Sequence, residues 1–485
     1  MRKKLLSSVI LVLVLLLCFF TGCAEKEPVP LRICVDIEYS NTFISEGNLE
    51  NDMDLLLKTR LVEYCARAGL DHLENVMVEY LPTSGVEREN ALTRLRTEIM
   101  AGEGPDLFLI YCAGESPGIS EEAIFTMPEK AMELSIFLTL DDYMENNTHF
   151  AEWDKMNQTV LAAGRTWEGQ QIIPLCYTFP ASVYRSSEVS HTASGETTWM
   201  DMLESEDKAL AASAVWISEN AEIQDGNPFM MLQTPMTEFL LGPIADFHEE
   251  ELLFTEDELK QRLTEMLNLA DCYAAGEFDQ APVHYNTYLG YEFSNTYLVS
   301  DAEYHNQYTG NNGIEWNESH TLVPLYSDDG GLTAEITAYA AINRNAQNPE
   351  EAFLILDYLA SYQAQQSERI YTDCLYKQFS GYMSGTQTVE YGSIPMYDTL
   401  MSKYERVYYW APGIDLSGQG WYMPDETFAS FSAAREQITH VRFRSILDVV
   451  LTQIYRDFYS AVRFGGDPDQ VVADGYRKIQ MMVRE

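Results

Sequence analysis

The first candidate chemistry in this chain is a nucleophile. Gly114-Glu115-Ser116-Pro117-Gly118 has the G-x-S-x-G spacing and follows an apolar run, 107–111. A hydrolase built on such a turn holds the tetrahedral oxyanion with the backbone N–H of the residue after serine. Here that residue is Pro117, and proline has no N–H. The pentapeptide therefore reads as a loop. Metal chemistry is no better supported. The eight histidines include no H-x-x-H or H-x-x-x-H pair, and His248-Glu249-Glu250-Glu251 has no second histidine at the needed offset. Asp328-Asp329-Gly330 lacks the alternating ligands and the glutamate at the twelfth position of a calcium loop, and reads as a turn. No P-loop is present, and no G-x-G-x-x-G follows the first strand. Carboxylates are so numerous that a pair spaced for glycoside hydrolysis carries no information, although two suffice for that reaction. The residues imply no catalytic set, no metal and no cofactor.

The amino terminus sets the expected compartment. Arg2, Lys3 and Lys4 precede an apolar stretch whose unbroken part runs from Val9 to Phe20. That is shorter than the ~20 residues of a spanning helix, and the pattern is that of a secretory signal. Phe20-Thr21-Gly22-Cys23 follows. Small residues before a cysteine at this position resemble the bacterial lipobox, which implies lipidation at Cys23, with palmitate-type acyl chains. Two such chains hold a protein firmly at a membrane, at ~0.8 kcal/mol per buried CH₂. The expected location is the extracytoplasmic face of the cell membrane. The segment 1–22 is then the signal peptide and 23–30 a tether.

Formal net charge is −44, and it becomes more negative still once the three basic residues leave with the signal. Such a surface repels nucleic acid and anionic headgroups, so no nucleic-acid partner is expected. It serves solubility and does not define the charge of a ligand. Of the eight cysteines, Cys18 leaves with the signal and Cys23 is the lipidation candidate. Cys34, Cys65, Cys112, Cys176, Cys272 and Cys374 have no C-x-x-C spacing. They are expected mostly as reduced, buried thiols, with no pairing deducible from spacing.

The elements that must position any site follow a βαβαβ pattern. Residues 31–37 read as a strand, 51–68 as a helix capped by Gly69, 76–81 as a strand, 86–101 as a helix with Leu92, Leu95 and Ile99 on one face, and 107–111 as a buried strand. This alternation predicts an open, mostly parallel α/β sheet, with ligand beyond the carboxyl ends of its strands. Extended runs recur at 172–177 and 334–342. Asn348-Pro349-Glu350-Glu351 and Asp467-Pro468-Asp469-Gln470 each read as a helix start, and Gly465-Gly466 as the end of the helix before the last.

Arg94 to Leu109, through Gly102-Glu103-Gly104-Pro105-Asp106, resembles the helix–Gly-x-Gly-Pro-Asp–strand signature of family 1 extracellular solute-binding proteins, the carbohydrate-type binding components of ABC importers. Further matches follow in that family's order: Leu138-Thr139-Leu140-Asp141-Asp142-Tyr143, Gly169 to Tyr184, Thr198-Trp199, Ala341 to Asn345 with Asn348-Pro349-Glu350-Glu351-Ala352, and Gly392 to Met396. Arg185-Ser186 departs from the commoner asparagine-lysine pair, and 371–440 is long.

The resemblance implies a two-lobed periplasmic-binding-protein type II fold of α/β class with a hinged interlobe cleft. Lobe one is expected at 30–177 and 326–370, lobe two at 178–325 and 371–485. It implies a non-enzymatic monomer that captures a small polar ligand, a sugar or oligosaccharide, for the membrane subunits of an ABC transporter. A sugar needs carboxylate or amide partners for its hydroxyls and aromatic planes for its ring faces. The candidates are Glu38, Tyr39 and Asn41 after the first strand, Glu115 after the third, Tyr177 at the crossing, and Trp316, Trp410 and Trp421 in the second lobe. Trp199, which opens an amphipathic helix, is assigned to the core. A glycan-binding adhesin and a glycan-degrading enzyme are the alternatives; only the enzyme would turn its ligand over.

Overall fold

A computed structural model describes residues 30–38, 76–82, 85–112, 123–189, 196–214, 242–276, 284–288, 320–362, 394–397, 404–406, 410–411, 414–415, 420–422 and 425–485. The opening pattern folds as its periodicity predicts. Strand β1 (Leu31–Glu38) pairs in parallel with β2 (Val76–Tyr80) and with β3 (Leu107–Cys112). Leu31, Ile33, Cys34 and Val35 are all buried, as expected of a parallel strand covered on both faces. Helix α1 (Gly85–Met100) buries Leu92 and Leu95 and packs Ile99 against the core. The expected helix at 51–68 with its Gly69 cap lies outside the described residues.

The Gly-x-Gly-Pro-Asp turn after α1 is a structural knot. Asp106 is 3% exposed. Its Oδ2 accepts from the Arg32 N–H at 2.9 Å, and its Oδ1 from the N–H groups of Gln347 at 2.6 Å and Asn348 at 3.0 Å. The Asn343 amide donates to the carbonyls of Glu103 and Pro105 at 3.0 and 2.9 Å. Gly104 sits at φ 109°, and a Cβ there would stand 3.3 Å from the Ile99 side chain, so glycine is required for both conformation and closeness.

The main elements that follow are α2 (Pro128–Glu133), β4 (Ile172–Thr178), β5 (Pro180–Arg185), α3 (Trp199–Leu203), α4 (Glu256–Ala274), β6 (His284–Tyr288), β7 (His320–Pro324), β8 (Leu332–Ile342), α5 (Pro349–Leu359), β9 (Ile394–Pro395), α6 (Asp425–Arg435), β10 (Ile438–Phe443), α7 (Ile446–Phe464) and α8 (Pro468–Arg484), beside shorter helices and hairpins. The larger sheet runs β9-β4-β8-β3-β1-β2, with β10 also on β8; the smaller runs β6-β5-β7.

The larger sheet is mixed rather than mostly parallel. β8 is antiparallel to β3 and β4, and β9 is antiparallel to β4. The reason lies in how β8 arrives. It returns from β7 of the smaller sheet, entering at the edge where β3 ends, and so must run against it. All eleven residues of β8 are buried. Its amino half pairs with β10 and its carboxyl half with β3 and β4.

Two apolar cores result. The first holds the larger sheet, including an edge-to-face cluster of Phe108, Phe125 and Phe137 with centroids 4.8–6.2 Å apart. The second holds Trp199 with α4, α7 and α8. The smaller sheet serves both by alternation: Ala181, Val183 and Leu322 join the first core, Tyr184 and Val323 the second. Among the described residues, the chain passes between cores at Phe179, between β7 and β8, and between β10 and α7.

Residues 371–485 therefore do not all belong to the second unit. Ile394, Met396, Tyr397, Phe431, Ala434, Ile438 and Phe443 pack in the first core. β9 and β10 go there because β4 and the amino half of β8 would otherwise bury unpaired backbone groups.

The predicted helix ends appear where expected. Asp467 caps α8, accepting from Asp469 and Gln470, and Gly465 closes α7 at φ 88°. Trp199 is fully buried beneath a Thr198–Asp201 capping box. At α5 the start is right, but the Asn348 side chain makes no cap bond, and it is Asp106 that accepts from the Asn348 N–H. Residues 328–330 form a turn.

Candidate functional site

Strand register brings separated candidates to one edge. Glu38 pairs with Cys112, Tyr111 with Ala338, and Ala338 with Cys176. The end of β1, the end of β3 and Tyr177 thus share the carboxyl edge of the larger sheet, the side predicted for ligand. The Glu38 side chain lies outside the described residues, as do Tyr39, Asn41, Glu115, Trp316 and Cys23. The backbones of Trp410 and Trp421 pair with Asp415 and Glu405 in two short ribbons, and their side chains too lie outside the described set.

Beneath this edge is a buried charge cluster that the sequence reading missed. Arg88 Nη1 lies 2.9 Å from Asp36 Oδ1, with both side chains at most 2% exposed. The same nitrogen donates to the Pro82 carbonyl at 2.9 Å, and Asp36 Oδ2 accepts from the Ile124 N–H at 3.2 Å. Arg96 donates to the carbonyls of Ala123 and Ile124. Burial holds the Arg96 guanidinium below its ordinary value. Two residues could have been suspected from sequence: an aspartate within the apolar run 33–37, and an arginine at the spacing of Leu92 and Leu95 on α1. The neighbouring Cys34 thiol is pushed up by burial and by Asp36, so it stays protonated and inert.

Tyr177 is fully buried at the first crossing, and its hydroxyl accepts from Arg435 Nε at 3.0 Å. Arg435 lies over Phe431, 5.7 Å from the ring centroid, and Phe431 stacks on Phe179 at 6.3 Å. The column spans the point where β4 becomes β5. Arg435 carried no sequence signal, since an arginine in a last helical turn is ordinary.

The third crossing carries a second charge network. Arg442 donates to Glu335 at 2.8 Å and to Asp448, and Arg444 Nη2 lies 3.2 Å from Glu335. The half-buried Glu129 accepts from the Phe443 N–H at 3.1 Å, and desolvation of its carboxyl pushes it up to about 7. A carboxyl raised in the folded state binds its proton there at a pH where the unfolded chain has lost it. Stability is thus highest below the ordinary carboxyl range and is lost as pH rises through about 7. We expect Glu129→Gln to match the parent near pH 5 and to exceed it by up to about 3 kcal/mol near pH 8. Urea unfolding at both pH values checks this; equal stabilities at pH 8 would contradict it.

Among the described residues, no group of histidine, cysteine, aspartate and glutamate could hold a metal ion. No helix in that set is long and apolar enough to cross a membrane.

A mixed sheet with, among the described residues, three chain crossings into a second core has the two-lobed α/β fold of the periplasmic-binding type. The fold matches the extracellular solute-binding protein family 1 structure from Alicyclobacillus acidocaldarius subsp. acidocaldarius DSM 446 at a TM-score of 0.52, with 13% identity over 95% of this chain and 100% of that one. A periplasmic oligogalacturonide binding protein from Yersinia enterocolitica matches at 0.49, with 12% identity over 93% and 99% of the two chains. The sugar-binding protein MalE from Xanthomonas citri matches at 0.49, with 11% identity over 94% and 98%. No protein-family model matches the sequence, and no curated protein matches it.

Proposed function

We propose that this chain is a solute-binding protein that captures a small polar ligand, a sugar or oligosaccharide, without turning it over. It delivers that ligand to the membrane subunits of an ABC importer while held at the outer face of the membrane through Cys23. One observation carries the reading. The strand ends of the first unit converge on an edge where, among the described residues, the chain passes three times between that unit and a separately cored second one. Few covalent connections between two cores suit closure of one lobe on the other around a ligand. The shared fold with a solute-binding protein supports it. In this reading lobe one comprises the larger sheet with β9 and β10, and lobe two the smaller sheet's outer face with α3, α4, α7 and α8.

Glu38, Tyr39, Asn41 and Glu115 would meet ligand hydroxyls from lobe one, and Trp316, Trp410 and Trp421 would offer ring planes. Tyr177, held by Arg435, would position the crossing. The test is thermal unfolding of the protein against a panel of mono- and oligosaccharides. A ligand that binds only the folded state at ~100 Kd adds ~2.7 kcal/mol. We expect one glycan class to raise the Tm and to be recovered intact. No shift with any sugar would overturn the carbohydrate assignment, and cleavage of a stabilising glycan would make it an enzyme.

A further inference from the structure

We propose that Trp167, Glu133 and His248 form a proton-dependent latch between the two units, on the side away from the candidate ligand edge, which opposes closure until His248 loses its proton. The inference rests on the two-lobed capture reading for its consequence, though not for the contact itself.

Trp167 is 71% exposed, unusual for so large an apolar side chain. It stands at the tip of the hairpin formed by Arg165–Thr166 and Gly169–Gln170 in the first unit. His248 stands at the tip of the hairpin formed by Ala245–Asp246 and Glu251–Leu252, whose Ala245, Phe247 and Leu252 pack on the second core. The imidazole lies 6.2 Å from the Trp167 ring, the planes tilted by 56°, and its Nδ1 lies 3.1 Å from Glu133 Oε2 at the end of α2.

Both sides of the contact are built in advance. Asp141 accepts from the Gln170 N–H at 2.8 Å and from Arg165 at 2.6 Å. A Cβ at Gly169 (φ 127°) would run into that same carboxylate. Ser135, at φ 52°, donates to Glu168 at 2.7 Å and ties the hairpin to the end of α2. On the other side, Asp246 Oδ1 accepts from the His248 and Glu249 N–H groups at 2.9 and 3.0 Å. The charged groups around the imidazole are Glu133 from the first unit and Asp246 and Glu249 from its own hairpin, with Glu249 Oε1 at 4.0 Å from Nε2. All are anionic. Protonation therefore strengthens the bond to Glu133 and places a cation beside the Trp167 ring.

Position gives the latch its direction. Ala341 pairs with both Phe108 and Ile172, so the hairpin just before β4 lies at the amino edge of the larger sheet. The carboxyl ends of β1 and β3 and Tyr177 lie at the opposite edge, and the Phe179 crossing follows the carboxyl end of β4. A rotation about the crossings that closes the carboxyl edge separates Trp167 and Glu133 from His248. Hydrogen bonding to Glu133 raises the imidazole above its ordinary value. The latch is thus strongest below the ordinary imidazole range and weakens as pH rises through the raised value.

The experiment needs no ligand, so its failure is distinct from failure of the capture reading. Small-angle scattering of the parent and H248Q at about pH 5.5 and 8.5 spans the titration of the imidazole. The parent's radius of gyration should fall with rising pH, and H248Q should show the smaller value at both. A parent that does not change, or an H248Q that changes as the parent does, would overturn the latch. An NMR titration gives the second readout. The His248 resonance, assigned by its loss in H248Q, should titrate above the ordinary ~6.5 and move down toward it in E133Q. An unchanged midpoint in E133Q would remove Glu133 from the proposal.

Discussion

Arg88→Met destabilises the protein by about 3–5 kcal/mol, the usual effect of breaking a buried ion pair by removing one partner. The substitution keeps most of the side-chain volume, so the loss comes from charge and hydrogen bonding rather than from a cavity. It strands the Asp36 carboxylate, 1% exposed, with only the Ile124 N–H at 3.2 Å, and it frees the Pro82 carbonyl. The double variant Asp36→Asn, Arg88→Met carries no stranded charge. It should recover at least half of the loss, because a buried pair replaced as a unit is often close to neutral. Urea unfolding of the two singles and the double gives the coupling directly. If the double were less stable than the parent by the sum of the two single losses, the two groups would not be interacting and the ion-pair account would fall.

Asp106→Ala should destabilise by a similar amount, about 4 kcal/mol. Its two oxygens take three backbone N–H groups, those of Arg32, Gln347 and Asn348. Hydrogen bonds to a charged group contribute ~1.5–3 kcal/mol each, and buried donors left unmade add desolvation cost. Asp106→Asn separates charge from geometry. An amide keeps one acceptor oxygen while its NH₂ faces N–H donors, so it should recover less than half. The matching readout is hydrogen exchange at Arg32, Gln347 and Asn348, which should quicken together in the alanine variant. Exchange confined to 347–348 would show that β1 does not depend on this carboxylate.

These two aspartates also show how far the chain could be read without its fold. Local order was legible wherever one segment contains its own reason. The β1–α1–β3 run follows from apolar periodicity, the α8 start from Asp467-Pro468, the end of α7 from Gly465, and the burial of Trp199 from its place at the head of an amphipathic turn. Asp106 was visible as part of a signature, but its partners at 347 and 348 are not, since nothing local records which distant N–H groups a carboxylate will accept. Asp36 shows the converse: a charge within the apolar run 33–37 was in plain view, and its pairing with Arg88 was not.

The sheet direction and the unit boundaries belonged to tertiary structure for a similar reason. Strand periodicity says that a segment is extended and how its faces are covered. It does not say which way the segment enters a sheet. β8 runs antiparallel to β3 because the chain comes back from the second unit, and β9 and β10 join the first core because backbone groups there need partners. The same holds for the meeting of Trp167 with Glu133 and His248, which the chain order keeps far apart. The sequence by itself determined the net negative charge, the proline that leaves no N–H after Ser116, and the local elements of the β1–α1–β3 run and of α7 and α8. Only the tertiary structure decided which charges are buried in pairs and which hairpins meet across the two units, because those contacts depend on distances that close after the chain has crossed between its cores.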